Sequence, residues 1–298
     1  MKTSELLFFF LPIFFFFIAL EILYYRQDKR SFPWREAIVS LVMFAVYQLV
    51  NRSVVVFLKP VIGWVYDFRM WTAPMNQWWA WVLLFFAVEF CYYWMHRCTH
   101  EIRWLWASHS VHHSPTTITL SGAYRLAITS SISGLFLFFL PLYWLGFAPT
   151  AVGIMLGLNL AYQFWLHTET IPRLGLLEKW LNTPSNHRVH HSIEEQYIDK
   201  NYGGVLIVFD RLFGTYVAED ESLDKRYGLL GKTPSLNPVT LFFQEWVAMA
   251  KDLWQSRDIQ RAFRVCFGRP GALDTPPERG FEPMAISRPA VGDREMSP

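Results

Sequence analysis

Residues 6–24 read LLFFFLPIFFFFIALEILY, an apolar run long enough to cross a bilayer. Hydrocarbon offers the backbone no hydrogen-bond partners, so such a run has to fold as a helix. Pro12 is expected to kink this first span, which membrane helices tolerate. The run is too long for a cleavable leader and shows no small-residue cleavage site, so it reads as a retained span. Further apolar runs follow at 37–58, 77–95, 126–145 and 150–166. The second is interrupted by Asn51 and Arg52, and Arg52 must snorkel or face protein. The third carries tryptophan at one end and Tyr92, Tyr93 and Trp94 at the other, an interfacial aromatic belt. Gly146–Pro149 reads as a hairpin between the last two.

Composition agrees with this pattern. The chain is 52% hydrophobic and 18% aromatic over 298 residues, which favours a membrane bundle over two soluble domains. A net charge of +2 speaks against nucleic acid as a partner. Three cysteines, Cys91, Cys98 and Cys266, are too few and too scattered for a disulfide framework. The basic loop 26–35, with Arg26, Lys29, Arg30 and Arg35, is assigned to the cytoplasm. The expected fold is therefore all-α, an integral membrane bundle of about five spans. Alternation then brings the ends of spans three and five to the cytoplasmic face.

That face receives every histidine in the chain. There are nine: His96, His100, His109, His112, His113, His167, His187, His190 and His191. They fall in HRCTH, HSVHH, FWLHTE and HRVHH. On a helix, residues three or four apart share a face, so each HxxHH or HxxxH group is expected to aim its imidazoles in one direction. Neutral imidazole is a ready ligand for transition metals. Nine nitrogens exceed the needs of one ion, so the count fits two metals under a helical cap. Iron suits an all-imidazole pair of sites, and zinc or copper could also bind. Cys98, inside HRCTH, is expected to be a bystander. Thr183 and Pro184 mark a helix start for HRVHH, as N-cap and first helical residue. Glu89 lies seven residues before His96 on the same helix face and is expected to hydrogen-bond a ligand imidazole. Glu101, next to His100, is a weaker candidate for the same role. Asp199, Asp210 and Asn186 are expected to be structural.

The three boxes HRCTH, HSVHH and NHRVHH resemble those of the fatty acid hydroxylase / sterol desaturase superfamily of membrane di-iron enzymes. The resemblance runs from about Glu89 to Tyr216. EFCYYWMHRCTHE, QFWLHTE, LNTPSNHRVHH and IDKNYGGVLIVFDRLFGTY are closest to its alkylglycerol monooxygenase-like bacterial branch. What the resemblance implies is two Fe ions held by the nine histidines and an O2-dependent hydroxylation of a lipid C–H bond, with ether cleavage as the pattern. It also implies an external reductant, either tetrahydrobiopterin or an electron-transfer protein. A sterol or fatty-acyl hydroxylase or desaturase is the alternative within this class. A membrane metal carrier or sensor is the alternative outside it.

The expected organisation has four parts. Residues 1–75 form an N-terminal transmembrane region and 76–235 the catalytic region. Residues 236–267 form an amphipathic cytoplasmic helix, with Phe242, Phe243, Trp246, Met249 and Leu253 near helical spacing. Residues 268–298 accumulate proline and glycine without periodicity and are expected to be disordered.

Overall fold

The structure, a computed structural model, describes residues 3–271. The chain is all-helical, and the described residues contain no β-strand, only isolated bridges such as Leu181 to Leu206. Helix α1 spans Thr3–Gln27 and runs through Pro12. Helix α2, Trp34–Asp67, is the longest at 34 residues. Helix α3, Trp78–Glu101, is followed after one residue by the short α4, Arg103–His109. Helices α2 and α3 are long and apolar enough to cross a membrane. Almost none of the apolar stretch of α2 is covered by protein, whereas about a third of that of α3 is.

The expected span at 126–145 is not one helix. Residues 128–134 form turns, 135–139 a 3₁₀ turn, and only Leu140–Leu145 an α-helix, α5. The reason lies in the serines and in Gly134. Ser130 and Ser133 turn their hydroxyls onto the carbonyls of Ala127 and Ser130, at 2.9 and 2.8 Å. Such local bonds compete with the helical ladder. Gly134 then adopts φ +90°, which ends any helix. The hairpin expected at Gly146–Pro149 is present. Gly146 sits at φ +110°, and a Cβ there would meet the Trp71 carbonyl oxygen at 2.1 Å. Only glycine lets the 68–77 connection pass so close. Helix α6, Pro149–Phe164, is a 16-residue helix, short against the ~20 residues of a full span.

Leu84, Val88, Leu142 and Val152 are fully or almost fully buried where α3, α5 and α6 meet. Helix α7, Pro184–His191, is buried along its whole length. Thr183 caps it by accepting from the Asn186 N–H, with Pro184 at the first position, as the sequence implies. Helix α8, Val208–Leu212, is a short helix of five residues.

The amphipathic stretch 236–267 is two helices rather than one. They are α9, Pro238–Trp254, and α10, Ile259–Phe267. Asp258 accepts from the Arg261 N–H at 2.7 Å and restarts the helix as a new N-cap. The pair folds back on α4 through Ala107, Met249 and Val265, all nearly sealed from solvent. Arg103 and Asp252 clamp the same contact at 2.5 Å. Nearly all of the tail expected to be disordered, 272–298, lies outside the described residues.

Candidate metal centre

The nine histidines converge, but not box by box. Ring nitrogens of His96, His100, His109, His113 and His190 lie within 4.8 Å of one another, and so do those of His112, His167, His187 and His191. HSVHH and HRVHH are each split between the two sets. The expectation that each box points one way is corrected by helical geometry. His109 and His113, and likewise His187 and His191, are four apart and stay together. Neighbours one position apart diverge by about 100° around a helix. His190 therefore leaves His191 in α7, and in the turn after α4 His112 likewise parts from His113. The result interlocks the sets, because α7 feeds both and so does the turn after α4.

The first set forms a chain of close Nε2 atoms. His96 to His109 is 3.0 Å, His109 to His113 is 3.2 Å, and His113 to His190 is 3.1 Å. The second does the same: His112 to His167 is 3.1 Å, His167 to His187 is 3.0 Å, and His187 to His191 is 3.1 Å. Backbone carbonyls fix three of the rings. His96 Nδ1 donates to the Tyr202 carbonyl at 2.8 Å, His190 Nδ1 to that of Lys200 at 2.9 Å, and His167 Nδ1 to that of Gln163 at 2.9 Å. A carbonyl only accepts, so these Nδ1 atoms carry the protons and their Nε2 lone pairs face the clusters. Lone pairs facing one another at such distances repel unless a cation stands among them. The separations also match the ~3 Å edge of an octahedral donor set with metal–nitrogen bonds of ~2.1 Å. His100 Nε2 is buried without a hydrogen-bond partner, as a ligand atom awaiting its metal would be. The donor set fits a transition-metal pair.

Electrostatics keep these donors available. Burial first, then neighbouring imidazoles, holds His109, His112, His113, His187, His190 and His191 well below the ordinary imidazole range. Burial takes His167 down to about 4. At neutral pH they are uncharged and can donate a lone pair. His109 and His112 are half-buried, while the other seven are buried.

The loop 199–206 delivers the carbonyls that hold His190 and His96, and carboxylates pin it. Asp210 accepts from the Tyr202 and Gly203 N–H groups at 2.7 and 2.8 Å and from the Thr215 hydroxyl at 2.8 Å. Burial, partly offset by these bonds, raises its pKa to about 6. Gly203 must be glycine, since a Cβ would meet the Leu206 carbonyl oxygen at 2.2 Å. Glu89 is buried, and it lies beside the loop rather than on an imidazole. It accepts from the Val205 and Leu206 N–H groups at 2.9 and 2.8 Å and from Asn159 Nδ2 at 2.5 Å. Asn159 in turn accepts from Gln163, whose carbonyl holds His167. Glu89 thus reaches the first set through the loop and the second through Asn159 and Gln163. Glu101 pairs with Arg97 at 3.1 Å and Arg269 at 3.5 Å. Asp199 Oδ1 stands 3.7 Å from His100 Nδ1. Cys98 belongs to neither set.

Sequence reasoning passed over three further residues. Arg188, inside HRVHH, forms a buried two-bond pair with Glu219, both bonds at 2.7 Å, and donates to the Thr168 and Ile171 carbonyls. Asn201, at φ +57°, ties the Asn186 carbonyl to Val217. An arginine between ligand histidines was the available signal. The glutamate partner 31 residues on carried none.

A family model described as fatty acid hydroxylase matches residues 81–215, the stretch holding all nine histidines. Alkylglycerol monooxygenase of Homo sapiens is 40% identical over 205 residues, covering 69% of this chain and 45% of that protein. Its Danio rerio counterpart is 35% identical over 277 residues, covering 90% and 60%. An ornithine lipid hydroxylase of Rhizobium tropici is 33% identical over 152 residues, covering 51% and 46%. The chain spans about half the length of the curated relatives it matches. No solved structure matches.

Proposed function

The chain belongs to the fatty acid hydroxylase family, and on that footing we propose that it is a membrane-embedded, O2-dependent di-iron monooxygenase that hydroxylates a lipid C–H bond. The observation that carries this reading is the pair of histidine sets, five and four, whose Nε2 lone pairs converge. The five-set and the four-set would each hold one iron, and the irons would supply oxygen activation. Five and four imidazoles leave coordination positions that the protein does not fill.

The chain's own residues have separate tasks. The carbonyls of Tyr202, Lys200 and Gln163 hold the protons of His96, His190 and His167 away from the clusters. Glu89 and Asp210 hold the loop that presents two of those carbonyls. Residues 76–235 form the catalytic region in this reading, and residues 1–75 the membrane anchor. The basic loop 26–35 supports a cytoplasmic face for the histidines in this reading. Electrons come from outside the catalytic region, from a reduced pterin or an electron-transfer protein. Ether-lipid hydroxylation is the leading activity because alkylglycerol monooxygenases are among the relatives at 35–40% identity.

The test joins metal analysis to lipid profiling. Purified protein is expected to carry about two irons per chain. Cells with and without it are compared for alkylglycerols, sterols and acyl chains. Loss of an alkylglycerol pool, dependent on O2, supports the reading. A change confined to sterols or acyl chains moves the substrate to another class. Metal uptake into vesicles without lipid oxidation overturns it.

A further inference from the structure

A cavity of about 740 Å³ opens between α1 and α6. Its long walls are apolar: Phe14, Phe17 and Leu20 on α1, Leu158 and Ala161 on α6. Phe14 stacks on Phe164 at 4.2 Å between ring centres, which sets the two helices side by side. One end of the cavity is polar. There the buried Glu21 accepts from the Thr168 hydroxyl at 2.6 Å and from the Leu120 N–H at 2.9 Å. The Thr170 hydroxyl lies 2.9 Å from that of Thr168. Glu21 keeps spare acceptor capacity, because a carboxylate offers about four lone-pair sites. No lysine or arginine is among the described lining residues. Arg188 reaches the Thr168 carbonyl, but Glu219 takes its charge. Thr168 directly follows His167, so the polar end abuts the second histidine set.

The volume lies in the range of small-molecule sites, ~300–1,000 Å³, and an apolar body with a few convergent polar groups is their usual make-up. Charge selects among lipids. A free fatty acid or a phosphate head would bury its charge at this end with no cation to offset it, and an unpaired buried charge is costly. A hydroxyl can donate to Glu21 and accept from threonine. We propose that this groove binds one lipid with an uncharged, hydroxyl-bearing head, read by Glu21 and Thr168, with its tail along α1 and α6. The proposal rests on the reading of the chain as a lipid hydroxylase. It adds a place for the head group and the two residues that read it.

The test uses the full chain in lipid nanodiscs and three photoreactive probes sharing one diazirine-bearing oleoyl chain. One is a monoacylglycerol, one a free fatty acid and one a lysophosphatidic acid. Labelled peptides are mapped by mass spectrometry. The glycerol probe is expected to label α1 and α6 roughly tenfold more than either anionic probe. Ala161→Trp fills the groove and is expected to abolish that labelling while metal content stays. If that variant does not fold, Leu158→Trp on the same wall serves. Equal labelling by all three probes, or labelling that ignores both variants, overturns the proposal. Labelling needs no turnover. The groove can therefore fail while lipid oxidation persists, and it can stand if the iron reading fails.

Discussion

His112 and His113 are adjacent in sequence and belong to different sets, and so do His190 and His191. Single substitutions should therefore separate the two metals. His191→Ala leaves three imidazoles in the second set and five in the first, so metal analysis should show bound iron falling from about two toward about one per chain. His100→Ala leaves four donors in each set and should keep closer to full occupancy, with one ion held more weakly. Equal loss in both variants would count against two independent sets. At this scale the sequence was legible for the convergence of nine imidazoles and less so for its geometry. Imidazole spacing announces a cluster of donors. Which ring joins which set depends on the azimuth of each residue after α4 ends at His109, and a spacing rule does not carry that. Glu89 shows the same limit. Its place on the face of His96 was readable, but the loop it holds is more than a hundred residues away.

Among the elements, α7 has the most demanding position. Its eight residues are all buried, three are proposed ligands, and Arg188 among them is charged. Glu219 makes that burial tolerable. Burial alone would raise the Glu219 pKa, but the two bonds from Arg188, with Lys225 nearby, hold it below the usual carboxylate range. A carboxylate depressed in this way stabilises the fold at pH values above its unfolded pKa, and that contribution is lost as pH falls through the folded pKa. Thermal melts below the ordinary glutamate range should therefore show a loss of stability that Glu219→Gln flattens. Glu219→Ala strands a buried guanidinium and should cost about 3–5 kcal/mol. The start of α7 was legible from Thr183 and Pro184, because a cap is local. The break between α9 and α10 at Asp258, and the collapse of 128–134 into turns, were not. Apolar content hid the serine–backbone bonds and the Gly134 conformation that decide them.

On the scale of the whole molecule, the histidine region is a polar interior inside an apolar chain. Nine imidazoles whose lone pairs converge make a poor core by themselves. Metal binding should therefore be worth much of the stability. A ligand held at about a thousand times its Kd adds about 4 kcal/mol. Chelation should lower the melting temperature and open the 199–206 loop to protease, and added Fe(II) should reverse both. An unchanged melt on complete metal removal would mean that the sets are satisfied without ions. The helical class of the fold was legible from the apolar runs. Their number as spans was not, since α6 is short and 126–145 is broken, and only tertiary contacts show this.

The order of the chain has one more consequence, for biogenesis. The rings of α3 and α4 are synthesised first, His167 later and α7 last. Until α7 arrives, each set stands open on one side. Once it docks, the clasp of Arg188 on Glu219 shuts both at a stroke. Both sets thus close together late in the making of the protein, and reopening either one requires local opening of that clasp.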